Sequence, residues 1–133
     1  MMQNQNNILF KKGKKTMEII RTDIADLKEN KKAFYRLTES VSTSVQDMTD
    51  GQYDDQYEVL AYLLYTDTDS KGKEREILTI QTDKGLFTTV SKTFKESFFK
   101  VVDLMDGDPF AIRMFTGTSN SGKTYVDCRM VCD

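Results

Sequence analysis

Residues 117–124 read Gly-Thr-Ser-Asn-Ser-Gly-Lys-Thr and satisfy the phosphate-loop pattern G-x-x-x-x-G-K-[ST] at every position. In a nucleotide hydrolase a buried strand enters such a loop and a helix leaves it. Backbone N–H groups and the helix N-terminus then converge on the phosphates. Here Lys123-Thr124 is followed by Tyr-Val-Asp-Cys-Arg-Met-Val, which alternates with period two. Val126, Cys128 and Met130 fall on one side, and Tyr125, Asp127 and Arg129 on the other, the pattern of a strand. Ser119-Asn120-Ser121-Gly122 is then a hairpin turn of small polar residues, with Gly122 free to take positive φ. The expectation is a turn and no nucleotide hydrolysis.

Other catalytic chemistries are short of residues. There is no histidine and there are only two cysteines, which rules out the usual zinc ligand sets and a His-dependent triad. Cys128 and Cys132 lie four apart on one expected strand, roughly 13 Å at about 3.3 Å per residue, too far for a disulfide. Asp54-Asp55 and Asp67-x-Asp69 are the acidic pairs that could hold magnesium, but they sit in turn-like polar segments without a third ligand. The sequence therefore implies no enzyme, no metal and no cofactor.

What remains is aromatic and cationic. Six Tyr and eight Phe occur without any Trp, and several alternate with basic residues on expected strands. Aromatic faces stack bases and cations track a phosphate backbone, which is the chemistry of single-strand binding. Tyr57 and Tyr65 share one side of their strand and Tyr62 the other, so all three stay candidates for stacking. Arg113 and Phe115 share a side, as do Tyr125 and Arg129. Lys71, Lys73, Lys84 and Lys123, with Arg113, are the candidate phosphate partners. Net charge is only −2, but its distribution is uneven. Lys11, Lys12, Lys14, Lys15 and Arg21 make the N-terminus basic, whereas eight acidic residues and no basic one lie between Leu37 and Ser70. Local phosphate binding does not need a basic total.

The elements that must carry these residues fit one domain of 133 residues. No apolar run reaches membrane-spanning length and the N-terminus lacks the apolar segment of a signal peptide, so the expected location is the cytoplasm, away from membranes. Residues 1–16 read as an extended or mobile arm with one apolar patch, Ile8-Leu9-Phe10. Residues 17–37 carry spaced apolar positions at Ile20, Ile24, Leu27, Phe34 and Leu37, with Asp23 as a possible cap of a short helix. Residues 38–48 read as a weak strand ending at a Thr49-Asp50-Gly51 turn. Residues 57–66 form a nearly continuous apolar and aromatic run, read as a buried strand. Strands at 76–82 and 86–90 follow, joined by Asp83-Lys84-Gly85. A helix then starts at a Thr93-x-x-Glu96 capping box, presents Phe94, Phe98, Val101, Val102 and Met105, and stops at Asp106-Gly107 before Pro109. Strands at 110–116 and 124–131 close the chain.

Three strands, a helix and two strands is the element order of the five-stranded OB-fold barrel. The segments from Lys84 to Phe94 and from Phe110 to Tyr125, with Val90-Ser-Lys-Thr93 and the Gly117-Thr-Ser-x-x-Gly122-x-x-Tyr125 hairpin, resemble the single-stranded-DNA-binding proteins of small Gram-positive phages and conjugative plasmids, including the PrgE type. Ser44-Val-Gln-Asp-Met-Thr-Asp-Gly51 is similar to a segment upstream of the first strong strand in that family. The resemblance covers residues 40–132. It implies a mainly β barrel, residues 1–33 being an extension and 34–133 an OB-fold domain, and a non-catalytic protein that coats single strands in replication or conjugative transfer. The sequence reading adds self-association through Ile8, Leu9 and Phe10. The competing expectation is a protein-interaction module of a mobile element, with duplex DNA or RNA as further possible ligands.

Overall fold

The computed structural model describes residues 8–12 and 15–132, and side chains from Met17 onward. The strands are β1 (Ile8–Lys12), β2 (Lys15–Thr22), β3 (Thr43–Ser44), β4 (Tyr57–Thr68), β5 (Glu74–Thr82), β6 (Gly85–Thr89), β7 (Ala111–Thr118) and β8 (Thr124–Met130). The helices are α1 (Lys31–Glu39), α2 (Asp50–Tyr53) and α3 (Lys92–Met105), with 3-10 turns at Leu27–Glu29 and Val45–Asp47. The fold is mainly β, a curled open sheet forming a half-barrel. Its strand order is β1-β2-β4-β5-β6-β3, antiparallel except for the β3–β6 pair. β7 joins the first two residues of β4, and β8 pairs with β7.

β4 organises the molecule because both of its faces are buried, which is why its sequence is a continuous apolar run rather than an alternation. On one face Tyr62 and Leu64 pack with Leu78 and Ile80 of β5, Phe94 and Phe98 of α3, and Ile112, Met114, Val126 and Cys128 of the C-terminal hairpin. On the other, Leu63 and Tyr65 meet Met17 and Ile19 of β2 and Leu27, Ala33 and Leu37 around α1. The half-barrel thus has an inner core closed by α3 and a second core roofed by α1.

The sequence reading holds from residue 57 onward to within a few residues at each boundary. α3 differs at its cap: Ser91 Oγ, rather than a Thr93 box, accepts the Phe94 N–H at 3.2 Å. The N-terminal third needs more correction. Residues 8–12 are no free arm but the edge strand of a hairpin, with Ile8 opposite Ile19 and Phe10 opposite Met17; residues 1–7 and 13–14 lie outside the described residues. β2 then enters the middle of the sheet beside β4, so the extension and the barrel share one sheet, and α1 runs across the expected boundary at 33/34. Asn30, not Asp23, caps α1 by accepting the Ala33 N–H at 3.1 Å. Asp23 instead accepts the Tyr62 N–H at 2.9 Å. The expected strand at 38–48 shrinks to two residues between α1 and a 3-10 turn. Thr49-Asp50-Gly51 opens α2 rather than a turn, the Thr49 N–H donating to Gln52 Oε1 at 2.8 Å.

Candidate nucleic-acid interface

The phosphate-loop match is the connection of a β-hairpin. The Ser119 N–H donates to the Lys123 carbonyl at 2.8 Å and the Gly122 N–H to the Ser119 carbonyl at 2.9 Å, with Gly122 at φ 87°. β8 leaves the turn as an extended strand, so no helix N-terminus faces it. The β4–β5 connection repeats the same design: the Asp69 N–H donates to the Lys73 carbonyl and the Gly72 N–H to the Asp69 carbonyl, both at 2.9 Å. Each turn carries its lysine directly after the glycine. Lys71, Lys73 and Lys123 are exposed there.

The three β4 tyrosines must be withdrawn as base-stacking residues. Tyr57, Tyr62 and Tyr65 are 1%, 7% and 4% exposed, so no ring face is open to a base. Tyr57 donates its hydroxyl to the Gln52 carbonyl at 2.8 Å and meets the Phe87 ring edge-on at 4.9 Å. Tyr62 makes similar edge contacts with Phe98 and Phe99. Tyr65 lies under α1, and burial, reinforced by the charges of Asp67 and Glu39, pushes its phenol up to about 12. Sequence could not decide which β4 face is open because from Ala61 to Tyr65 neither is.

The C-terminal hairpin does bring candidates together. Register sets Arg113 opposite Arg129, Phe115 opposite Asp127 and Gly117 opposite Tyr125. Directly paired residues project to the same face. The two sequence pairs, Arg113 with Phe115 and Tyr125 with Arg129, therefore form one outer face, while Ile112, Met114, Val126 and Cys128 point into the core. The Arg129 guanidinium sits 5.5 Å from the Phe115 ring centre. Tyr125, 40% exposed, lies across Gly117 so closely that a Cβ there would come within 2.4 Å of its ring.

Cations continue around the edge of this face. Arg113 donates from one terminal nitrogen to the Asp54 carbonyl and from the other to Gln56 Oε1, each at 3.3 Å. Lys84 donates to the Gln56 carbonyl at 2.6 Å, with its ammonium 5.4 Å from the Tyr57 ring centre. Gln56 thus ties Lys84 to Arg113, and Lys84 also pairs with Asp83 at 3.4 Å. Arg129, which alternation already sets on the side of Tyr125, and Gln56 complete the site. Asp127 is the acid on the face; its Oδ1 accepts the Cys128 N–H at 2.8 Å.

The remaining candidates fall outside this face. Asp67 is buried and paired with Arg75 at 3.3 Å, and Asp69 is the acceptor of its own turn. Among the described residues no group of three or more His, Cys, Asp or Glu could hold a metal ion. Cys128 is buried, which pushes its thiol up to about 12, and Cys132 is exposed. No helix of the described residues is long and apolar enough to cross a membrane. Comparison with family models, curated proteins and solved structures gives no match for this chain.

Proposed function

We propose that this protein binds single-stranded DNA without catalysis and largely without regard to sequence, coating strands during replication or conjugative transfer in the cytoplasm. The observation that carries the reading is the single outer face holding Arg113, Phe115, Tyr125 and Arg129, flanked by Lys84. An exposed Tyr125 and a half-buried Phe115 among cations are the parts that stacking and backbone tracking require. The order β4-β5-β6-α3-β7-β8, with β7 returning to β4, supports reading the half-barrel as an OB-fold elaborated by β1, β2 and α1. On that reading the two Gly-Lys turns are the connections that flank the ligand. We further propose that residues 1–12, with Ile8, Leu9 and Phe10, join neighbouring subunits.

The test is anisotropy of a fluorescent oligothymidylate titrated at several salt concentrations. Binding that weakens linearly with log salt, and weakens further in Phe115→Ala, supports the reading. An oligonucleotide left unbound at moderate salt overturns it in favour of a protein-interaction module, for which the exposed Val41, Leu60 and Leu104 speak.

A further inference from the structure

A second polar site lies on the α1 side of the sheet, away from the hairpin face. A cleft of about 230 Å³ opens between the C-terminal end of α1, residues 42–46 and the strands β4, β5 and β6. Its walls include Ser42, Ser44, Gln46, Tyr65, Arg75 and Thr88, backed by the apolar Ile77 and Val90. Register explains the convergence: Tyr65 is paired with Ile77, Thr79 with Thr88 and Thr88 with Ser44, so these side chains leave one face of the sheet. α1 roofs the neighbouring Leu63 but does not fill this corner.

The lining is rich in hydroxyls and one amide, and its cation is partly committed. Arg75 reaches both oxygens of Asp67 from a single terminal nitrogen, at 3.3 and 3.4 Å. Among the described residues the rest of its guanidinium fork makes no hydrogen bond, which leaves N–H donors for an acceptor in the cleft. Behind the lining, the fully buried Thr79 hydroxyl neighbours the Tyr65 phenol. Tyr65 keeps its proton at neutral pH and so serves as a neutral donor or acceptor. The cleft has room for a single heterocyclic base, and its N–H and O–H donors suit one whose edge carries carbonyl oxygens. Lys73 lies two residues before Arg75 and Lys71 two before that, so cations lead from the β4–β5 turn to its mouth.

We propose that this cleft takes one pyrimidine base, its carbonyl oxygens accepting from Arg75 and the hydroxyls, with the attached phosphates tracking Lys73 and Lys71. The single-strand reading explains why such a base is presented, and the site adds a preference at one position to otherwise sequence-tolerant binding. Amide NMR with free nucleosides tests the cleft by itself. Millimolar thymidine shifts the Ser44 and Thr88 amides, deoxyadenosine does not, and Ser42→Leu, which blocks the mouth, abolishes the shift. In oligonucleotide titrations, wild type favours oligothymidylate over oligodeoxyadenylate by roughly tenfold, about what one or two hydrogen bonds give. Gln46→Ala and Ser42→Leu reduce that preference with the salt slope unchanged. Shifts from thymidine without oligonucleotide binding sustain the cleft and sink the coating role. Shifts from inorganic phosphate but not thymidine, or equal responses to both nucleosides, overturn the base assignment.

Discussion

At the residue scale, burial separates aromatic residues that composition treats alike. Phe115 and Tyr125 keep surface on the hairpin, whereas Tyr57, Tyr62 and Tyr65 are core. Replacing Phe115 or Tyr125 by Ala is expected to weaken oligothymidylate binding by about 1–3 kcal/mol each, with little change in salt slope because no cation is lost. Lys123→Ala should do the reverse, flattening the log–log salt slope by roughly 0.7 while leaving no nucleotide hydrolysis to abolish. ATP turnover that depends on Lys123 would contradict the hairpin assignment. Titration gives a further check at Asp69. Its Oδ1 accepts the N–H groups of Lys73 and Lys71 at 2.9 Å, and the bond from Lys73 is the leading cause that lowers its pKa. A carboxyl held below its unfolded value of about 3.9 adds stability that is complete above that value and is lost as pH falls through the folded one. Asp69→Asn should therefore unfold at a lower temperature than wild type at pH 7, with the two converging in thermal melts as pH falls through the lowered folded value.

At the element scale, the turn after β7 does more than reverse the chain. Its length sets Gly117 opposite Tyr125 and Arg113 opposite Arg129, so hairpin register creates the outer face. Gly117→Ala drives a Cβ into the far end of the Tyr125 ring, a side chain free to swing outward. The expected result is a small change in melting temperature and a clear change in oligonucleotide affinity, read by anisotropy beside the melt. Sequence made β4 to β8 and α3 legible because Gly-containing turns punctuate them and each has a clean period. It failed from Met17 to Tyr53 for a different reason. β2 owes its place to pairing with β4 more than thirty residues away across a bulge between Ile19 and Arg21, and no local pattern encodes that register. Thr49-Asp50-Gly51 has turn composition, yet the Gln52 side chain bonding back to Thr49 starts a helix. The same hidden segment buries Tyr65, so an error in the fold became an error in the site.

At the scale of the whole molecule, two cores share β4, and their dependence on the N-terminal third differs along its length. Leu37 of α1 and Leu63 of β4 are 3% and 0% exposed in the second core. Leu37→Ala is expected to cost about 2–5 kcal/mol of stability in denaturant unfolding, the range for emptying a packed leucine site. That core begins at Met17 among the described residues, whereas β1 touches the sheet through β2 alone. Removing residues 1–12 should therefore leave the chain folded, with β2 still held between its neighbours' positions by β4. What changes is assembly. Among the described residues β1 pairs with β2 alone, and in the sequence Lys11, Lys12, Lys14 and Lys15 follow the apolar Ile8-Leu9-Phe10, a composition suited to lying along a neighbouring subunit close to phosphate. The truncated protein is expected to keep its affinity for a short oligonucleotide that holds one subunit, since Phe115, Tyr125 and their cations are untouched. On long single strands its isotherm should broaden and its cooperativity fall, with a smaller species in sedimentation. An isotherm and sedimentation profile identical to the full chain's would refute a contact between subunits through residues 1–12, and would leave the hairpin face as the whole of the binding site.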